Sequence, residues 1–148
     1  MDILVDEVGE IVVNSVHVGA GAVASRRADK WKGRLHRIGV GKVNLGKLGY
    51  PIGAASAWMK PPFIRVRVEV DGEVAVDLDE PILMMAVGNG PNVGGGTALT
   101  PHADPGDGKA DVMISRSTGP LARFGYGARL AVGRHPERSD VSYQRAST

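Results

Sequence analysis

The run Ile82-Leu83-Met84-Met85-Ala86-Val87 leads into Gly88-Asn89-Gly90-Pro91-Asn92-Val93-Gly94-Gly95-Gly96-Thr97-Ala98-Leu99-Thr100-Pro101-His102-Ala103-Asp104-Pro105-Gly106-Asp107-Gly108-Lys109-Ala110 and ends on Asp111-Val112-Met113-Ile114. Its first six residues are continuously apolar and bounded by Pro81 and Gly88, which reads as a strand covered on both faces. Residues 111–114 read as a second strand. Between them, ten of residues 88–108 are Gly or Pro. Ordering such a segment costs backbone entropy, so it is either floppy or held for a purpose. The triple glycine lets a backbone approach a ligand closely or take positive φ. The segment is not a P-loop, because no Gly-Lys-Ser/Thr follows, and no helix pattern follows to make a dinucleotide fingerprint. Asp104, Asp107 and Asp111 also miss the spacing of a calcium loop. A plain surface loop built on Asp-Gly turns stays open on these residues alone.

Outward from this stretch the chain is punctuated by strands. In Ile64-Arg65-Val66-Arg67-Val68-Glu69-Val70 apolar and charged residues alternate strictly, Asp71-Gly72 makes a two-residue turn, and Glu73–Val76 returns. Residues 3–8 and 11–18 read as two strands joined through Glu7–Glu10. Helical spacing occurs over 22–38, over 47–59 before Pro61-Pro62, and over 121–132 through Leu121, Phe124, Ala128 and Leu130. Residues 133–148 read as a polar tail without a packed element. At least six strands against two or three weak helices predict a mainly β fold, a two-layer β-sandwich with short helical insertions.

Composition agrees. The 148 residues include 21 Gly and 9 Pro, a fifth of the chain, against a usual share of roughly 12%. No one-in-three glycine period is present, and long-helix bundles are excluded. With no Cys, disulfides, thiol catalysis and Cys-based metal sites are excluded. No run of about 18 apolar residues could span a bilayer as a helix, and no signal peptide is visible. A chain that opens inside a strand is expected to be a piece of a longer one.

The formal net charge of +2 hides segregation. Residues 26–47 carry Arg26, Arg27, Lys30, Lys32, Arg34, Arg37, Lys42 and Lys47 against Asp29 alone. Such a patch attracts polyanions, whether nucleic acid, nucleotide phosphates or an anionic membrane, although a solvated helix face reads the same way. Trp31 is the one aromatic inside this run. Nucleic-acid binders interleave more aromatics and carry more charge, so nucleic acid is not an expected partner.

The run MMAVGNGPNVGGGTALTPHADPGDGKADVMI closely resembles the C-terminal domain of the diacylglycerol kinase-like lipid kinases, the superfamily of bacterial diacylglycerol kinases and sphingosine kinases. Asn89, Gly94-Gly95-Gly96, Pro101, Ala103, Asp107-Gly108 and Asp111 match in order and spacing. Asn14–Gly21 and Phe63–Glu73 resemble the family's earlier strands, so the likeness covers about residues 1–135. It implies a C-terminal β-sandwich that binds lipid, paired in the whole enzyme with an N-terminal domain whose Gly-Gly-Asp-Gly-Thr motif holds the nucleotide. That motif is absent here, so residues 1–148 are expected to be most of the C-terminal domain, truncated and inactive alone.

The implied reaction is transfer of the ATP γ-phosphate to a lipid hydroxyl, most simply that of diacylglycerol, giving phosphatidic acid. ATP and Mg2+ would be held mainly by the missing domain. Asp107 matches the family's proposed general base, although an Asx turn with Gly108 would use the same residue. Asn89 and Gly94, Gly95 and Gly96 would shape the cleft floor. Asp111 is either a cleft carboxylate or the ion-pair partner of Lys109 or an Arg. His102 reads as a turn or solvent residue, and Met84, Met85 and Met113 as core or the wall of a lipid slot. Some members place a structural Mg2+ on a carboxylate near Ser56–Lys60, but no Asp or Glu lies between 30 and 68, so no metal ligand is assigned. Arg26, Arg27, Lys30, Lys32, Arg34 and Arg37 would then face an anionic membrane surface, from a cytoplasmic, peripheral position at the inner face. A homodimer through an exposed strand edge is possible. The alternative is a non-catalytic lipid- or nucleotide-binding sandwich module.

Overall fold

The computed structural model describes residues 2–20, 22–23, 63–93 and 96–147. Most of the helix expected over 22–38, all of that over 47–59, the basic residues 26–47, and Gly94 and Gly95 lie outside them. The described strands are β1 (Leu4–Val5), β2 (Ile11–Val12), β3 (Ser15–Gly19), β4 (Val68–Val70), β5 (Glu73–Val76), β6 (Met84–Gly88), β7 (Asn92–Val93), β8 (Thr97–Ala98), β9 (Ala110–Ser115) and β10 (Val141–Ala146). Helix α1 spans Pro120–Ala131, and a 3-10 turn spans His135–Glu137. The fold is mainly β, a β-sandwich with short helical insertions.

At the centre is an antiparallel sheet in the order β10-β9-β6-β3. The apolar run at its heart is covered twice, because successive side chains point to opposite faces. On one face Met84, Ala86 and Met113 pack with Val93, Leu99, Tyr126 and Val141. On the other, Val112 and Ile114, with Met85 and Val87, pack against Val68, Val70, Val76 and Ile82. All three methionines therefore serve the core, and Tyr126 directs its hydroxyl at two of their sulfurs, Met84 at 3.2 Å and Met113 at 3.8 Å. Fully burying a side chain of this size stabilises by roughly 1.5–3 kcal/mol.

The β4–β5 hairpin forms as the alternation predicts. Asp71 and Gly72 take φ of 49° and 85°, the left-handed pair that matches the strand twist in a two-residue turn, and Val70 faces Glu73.

Two expectations need correction. Residues 11–18 are not one strand: the chain turns at Val13-Asn14, so β2 pairs β1 while β3 joins the main sheet. The break is held by the Asn14 carbonyl, which accepts the Asn89 and Gly90 N–H groups at 2.7 and 3.2 Å, and by Asn14 Nδ2, which donates to the Asn92 carbonyl at 2.9 Å. Second, residues 133–148 are not an unpacked tail. Val141–Ala146 is an edge strand of the main sheet, paired along its length with β9 and buried at Val141 and Ala146. Its polar composition hides a strand whose two buried residues serve opposite faces, Val141 in one core cluster and Ala146 in the other. Helix α1 forms where its spacing predicts; Tyr126 and Leu130 face the core while Leu121 and Phe124 are 88% and 72% exposed.

Candidate functional site

The glycine-rich segment is a packed layer. Leu99 and Thr100 are fully buried, and Thr100 Oγ1 donates to the Gly90 carbonyl at 2.8 Å. Gly88 makes this possible, since a Cβ there would lie 2.1 Å from Thr100 Oγ1. Asn89 is fully buried between the two glycines. Its Nδ2 donates to the carbonyls of Asp2 (2.7 Å) and Val13 (3.1 Å), tying the N-terminal hairpin to the end of β6. Its Oδ1 is buried with no hydrogen-bond partner.

The Asp-Pro-Gly-Asp-Gly run is two successive Asx turns. Asp104 Oδ1 accepts the Gly106 N–H at 3.0 Å, and Asp107 Oδ1 accepts the Lys109 N–H at 3.0 Å. Gly108 follows with φ 69° and donates its N–H to Asp2 Oδ2 at 2.6 Å. The second oxygen of Asp107 holds the Arg145 guanidinium. Arg145 lies directly across the β9–β10 ladder from Asp111, with Nε 3.5 Å from Asp111 Oδ1. Asp111 is 2% exposed. Burial pushes its carboxyl above the ordinary carboxylate value, and Arg145 opposes that shift while the Asp107 charge adds to it. Two residues along β10, Tyr143 takes the His102 N–H on its hydroxyl at 3.2 Å and meets the His102 ring edge-on at 5.3 Å. Burial pushes the Tyr143 phenol up to about 12.

Asp107 and Asp111 are thus brought together around one guanidinium. Gly96 is placed elsewhere, at the β7–β8 turn, with φ 85° and open space where a Cβ would stand. Arg145 and Tyr143 escape the sequence reading, although the alternation Val141-Ser142-Tyr143-Gln144-Arg145-Ala146 carries the strand signal that would have found them. Where Gly108-Lys109-Ala110 leads into β9, a half-open cavity of about 830 Å³ lies on the Val87 and Ala110 side of the sheet, and Asp107, Asp111 and Arg145 do not line it. Ile3, Leu4, Val5 and Val87 form its apolar walls, and Asn89, Gly108 and Lys109 its polar end. Its size is that of a small-molecule site.

Among the described residues, no group of three or more Asp, Glu or His side chains could hold a metal ion. Asp107 is held by Arg145, whereas Asp111 Oδ1, 3.5 Å from Arg145 Nε, is buried without a hydrogen-bond partner. No described helix is long and apolar enough to cross a membrane.

A family model described as the YegS C-terminal NAD kinase beta sandwich-like domain matches residues 14–148. No curated protein matches the chain. Among solved structures, a diacylglycerol kinase from Bacillus anthracis str. Sterne is 23% identical, with a TM-score of 0.59 over 93% of this chain. Two further structures from that organism, described as candidate diacylglycerol kinases, are 22% and 20% identical with TM-scores of 0.57 and 0.59. At such identity the likeness is one of fold. The chain spans 40–41% of the length of these three proteins. It belongs to the YegS C-terminal NAD kinase beta sandwich-like domain family.

Proposed function

We propose that this chain is a lipid-binding β-sandwich module that presents an acceptor hydroxyl to a separate nucleotide-bearing domain, and that it transfers no phosphate by itself. The observation that carries the reading is the cavity, with apolar walls from Ile3, Leu4, Val5 and Val87 and a polar end at Gly108 and Lys109, next in sequence to Asp107. An acyl glycerol has the same division between tail and headgroup. Diacylglycerol is the acceptor class that the family supports. The module works against an anionic membrane surface, from the cytoplasmic side, with the basic residues 26–47 toward the lipid. ATP and Mg2+ belong to the nucleotide domain.

In the whole protein, Asp107 takes the proton of the lipid hydroxyl as its oxygen attacks the γ-phosphorus and ADP leaves. A carboxylate offers about four acceptor directions, of which the Lys109 N–H and Arg145 use two. Room remains for a hydroxyl. Asp111 anchors Arg145, which holds Asp107 in place, and Asn89 fixes the floor beside it.

Equilibrium binding of a fluorescent diacylglycerol to the 148-residue chain in detergent micelles tests the module. Saturable binding, weakened by Leu4→Glu and unaccompanied by phosphatidic acid formation from labelled ATP, is the expected result. Failure to bind overturns the lipid site, and phosphatidic acid made by the chain alone overturns its dependence on a second domain. A binding role without catalysis in any context is the second reading. It is favoured by the engagement of both Asp107 oxygens within the chain.

A further inference from the structure

Helix α1 is amphipathic in the inverted sense. At 100° per residue, Leu121, Phe124, Ala128 and Ala131 share one face, and that face is exposed. Leu121 is 88% exposed, Phe124 72%, and Val132, at the C-cap, 66%. A globular helix ordinarily turns such a stripe inward, but here the inward side is taken by Tyr126 and Leu130. The flanks are basic. Arg129 borders the stripe, Arg123 lies toward the Leu130 side, Arg134 follows the helix, and α1 contains no acidic residue. Glu137 bridges Arg129 and Arg134 at 2.8 Å each, which leaves an excess of positive charge. Arg123 also lies over the half-exposed ring of Phe63, 5.9 Å from its centroid.

We propose that α1 lies in the surface of an anionic bilayer, with Leu121, Phe124 and Val132 among the acyl chains and the arginines on the headgroups. An apolar stripe flanked by arginines on an exposed helix is the pattern of an in-plane interfacial helix. The stripe amounts to a few hundred Å², less than the roughly 800 Å² that each partner of a stable protein interface buries, so a second protein is the poorer fit. The helix thereby becomes the contact that brings the lipid-acceptor module of the preceding section to its substrate.

The absence of cysteine permits a clean test. Ala128→Cys in the 148-residue chain is labelled with a polarity-sensitive fluorophore and mixed with vesicles of equimolar phosphatidylcholine and phosphatidylglycerol. The label should shift to the blue and be quenched by nitroxide lipids, whereas the same label on Glu73→Cys stays in water. In cosedimentation, Leu121→Gln with Phe124→Gln should lower the partition coefficient about tenfold or more, and added salt should weaken binding. A label that stays in water, or a double variant that pellets like the parent, overturns the proposal. So does a dimer, seen by light scattering, that the double variant dissociates while vesicle binding is unchanged. Diacylglycerol binding in micelles, with the label in water on vesicles, refutes α1 alone. A shifted label without diacylglycerol binding refutes only the acceptor reading.

Discussion

Arg145 faces Asp111 across the β9–β10 ladder and holds Asp107 with the same guanidinium. One cation thus joins the buried carboxylate of a strand to the exposed turn that carries the candidate base. Arg145→Met leaves Asp111 buried without its cation, and should cost about 1–3 kcal/mol. Because burial raises the Asp111 pKa, the folded state binds this proton more tightly than the unfolded chain. Its contribution to stability is therefore present in acid and lost as pH rises through the raised value. The deficit of Arg145→Met in urea unfolding should shrink between pH 7.5 and pH 5. An equal deficit at both values would show that Asp111 does not respond to Arg145.

Asp107→Asn separates proton transfer from turn formation. Asn can keep the hydrogen bond from the Lys109 N–H, since its amide oxygen replaces Oδ1, yet it cannot take up a proton. In the full-length kinase kcat should fall roughly 10²- to 10⁴-fold with little change in KM for the lipid. Near-native turnover would reduce Asp107 to a turn residue.

Asn89→Ala removes both donors that tie Asp2 and Val13 to the end of β6. A loss of roughly 1–3 kcal/mol is expected, with faster amide exchange across β1 and β2. Unchanged exchange there would mean that the hairpin is held by other contacts.

His135 is fully buried, with Nε2 2.8 Å from the Leu99 carbonyl oxygen. Burial lowers its pKa, as it does for His17. Falling pH then protonates the unfolded chain first, so stability should decline below about pH 6.5. His135→Gln keeps a donor toward Leu99 without the titration, and should flatten the pH dependence of Tm between pH 7 and pH 5. Parallel curves for variant and parent would place the titration elsewhere.

The parts of the fold legible in sequence are those whose determinants are neighbours. Asp71-Gly72 sets its own turn, and the run from Ile82 to Val87 announces burial on both faces because it contains no polar residue. The order of the Gly-Asn-Gly and Asp-Gly pairs was equally readable, and it carried the family. What the turns do within the site was not. The Asx turn at Asp107 could be read from Asp-Gly, but the hold of Arg145 on its second oxygen could not, because Arg145 lies 38 residues away.

Sequence by itself determined the fold class, the central strands and the family, because these rest on local backbone preference and on apolar periodicity. Tertiary structure alone decided that the last residues form β10, that Arg145 rather than Lys109 answers Asp111, and that α1 turns its apolar stripe outward. Each depends on which distant segment occupies the other side of a strand or helix. A mostly polar strand with one buried residue on each face, or a helix with apolar residues on two sides, is locally ambiguous. Only the register with β9, and the prior claim of Tyr126 on the core, remove that ambiguity.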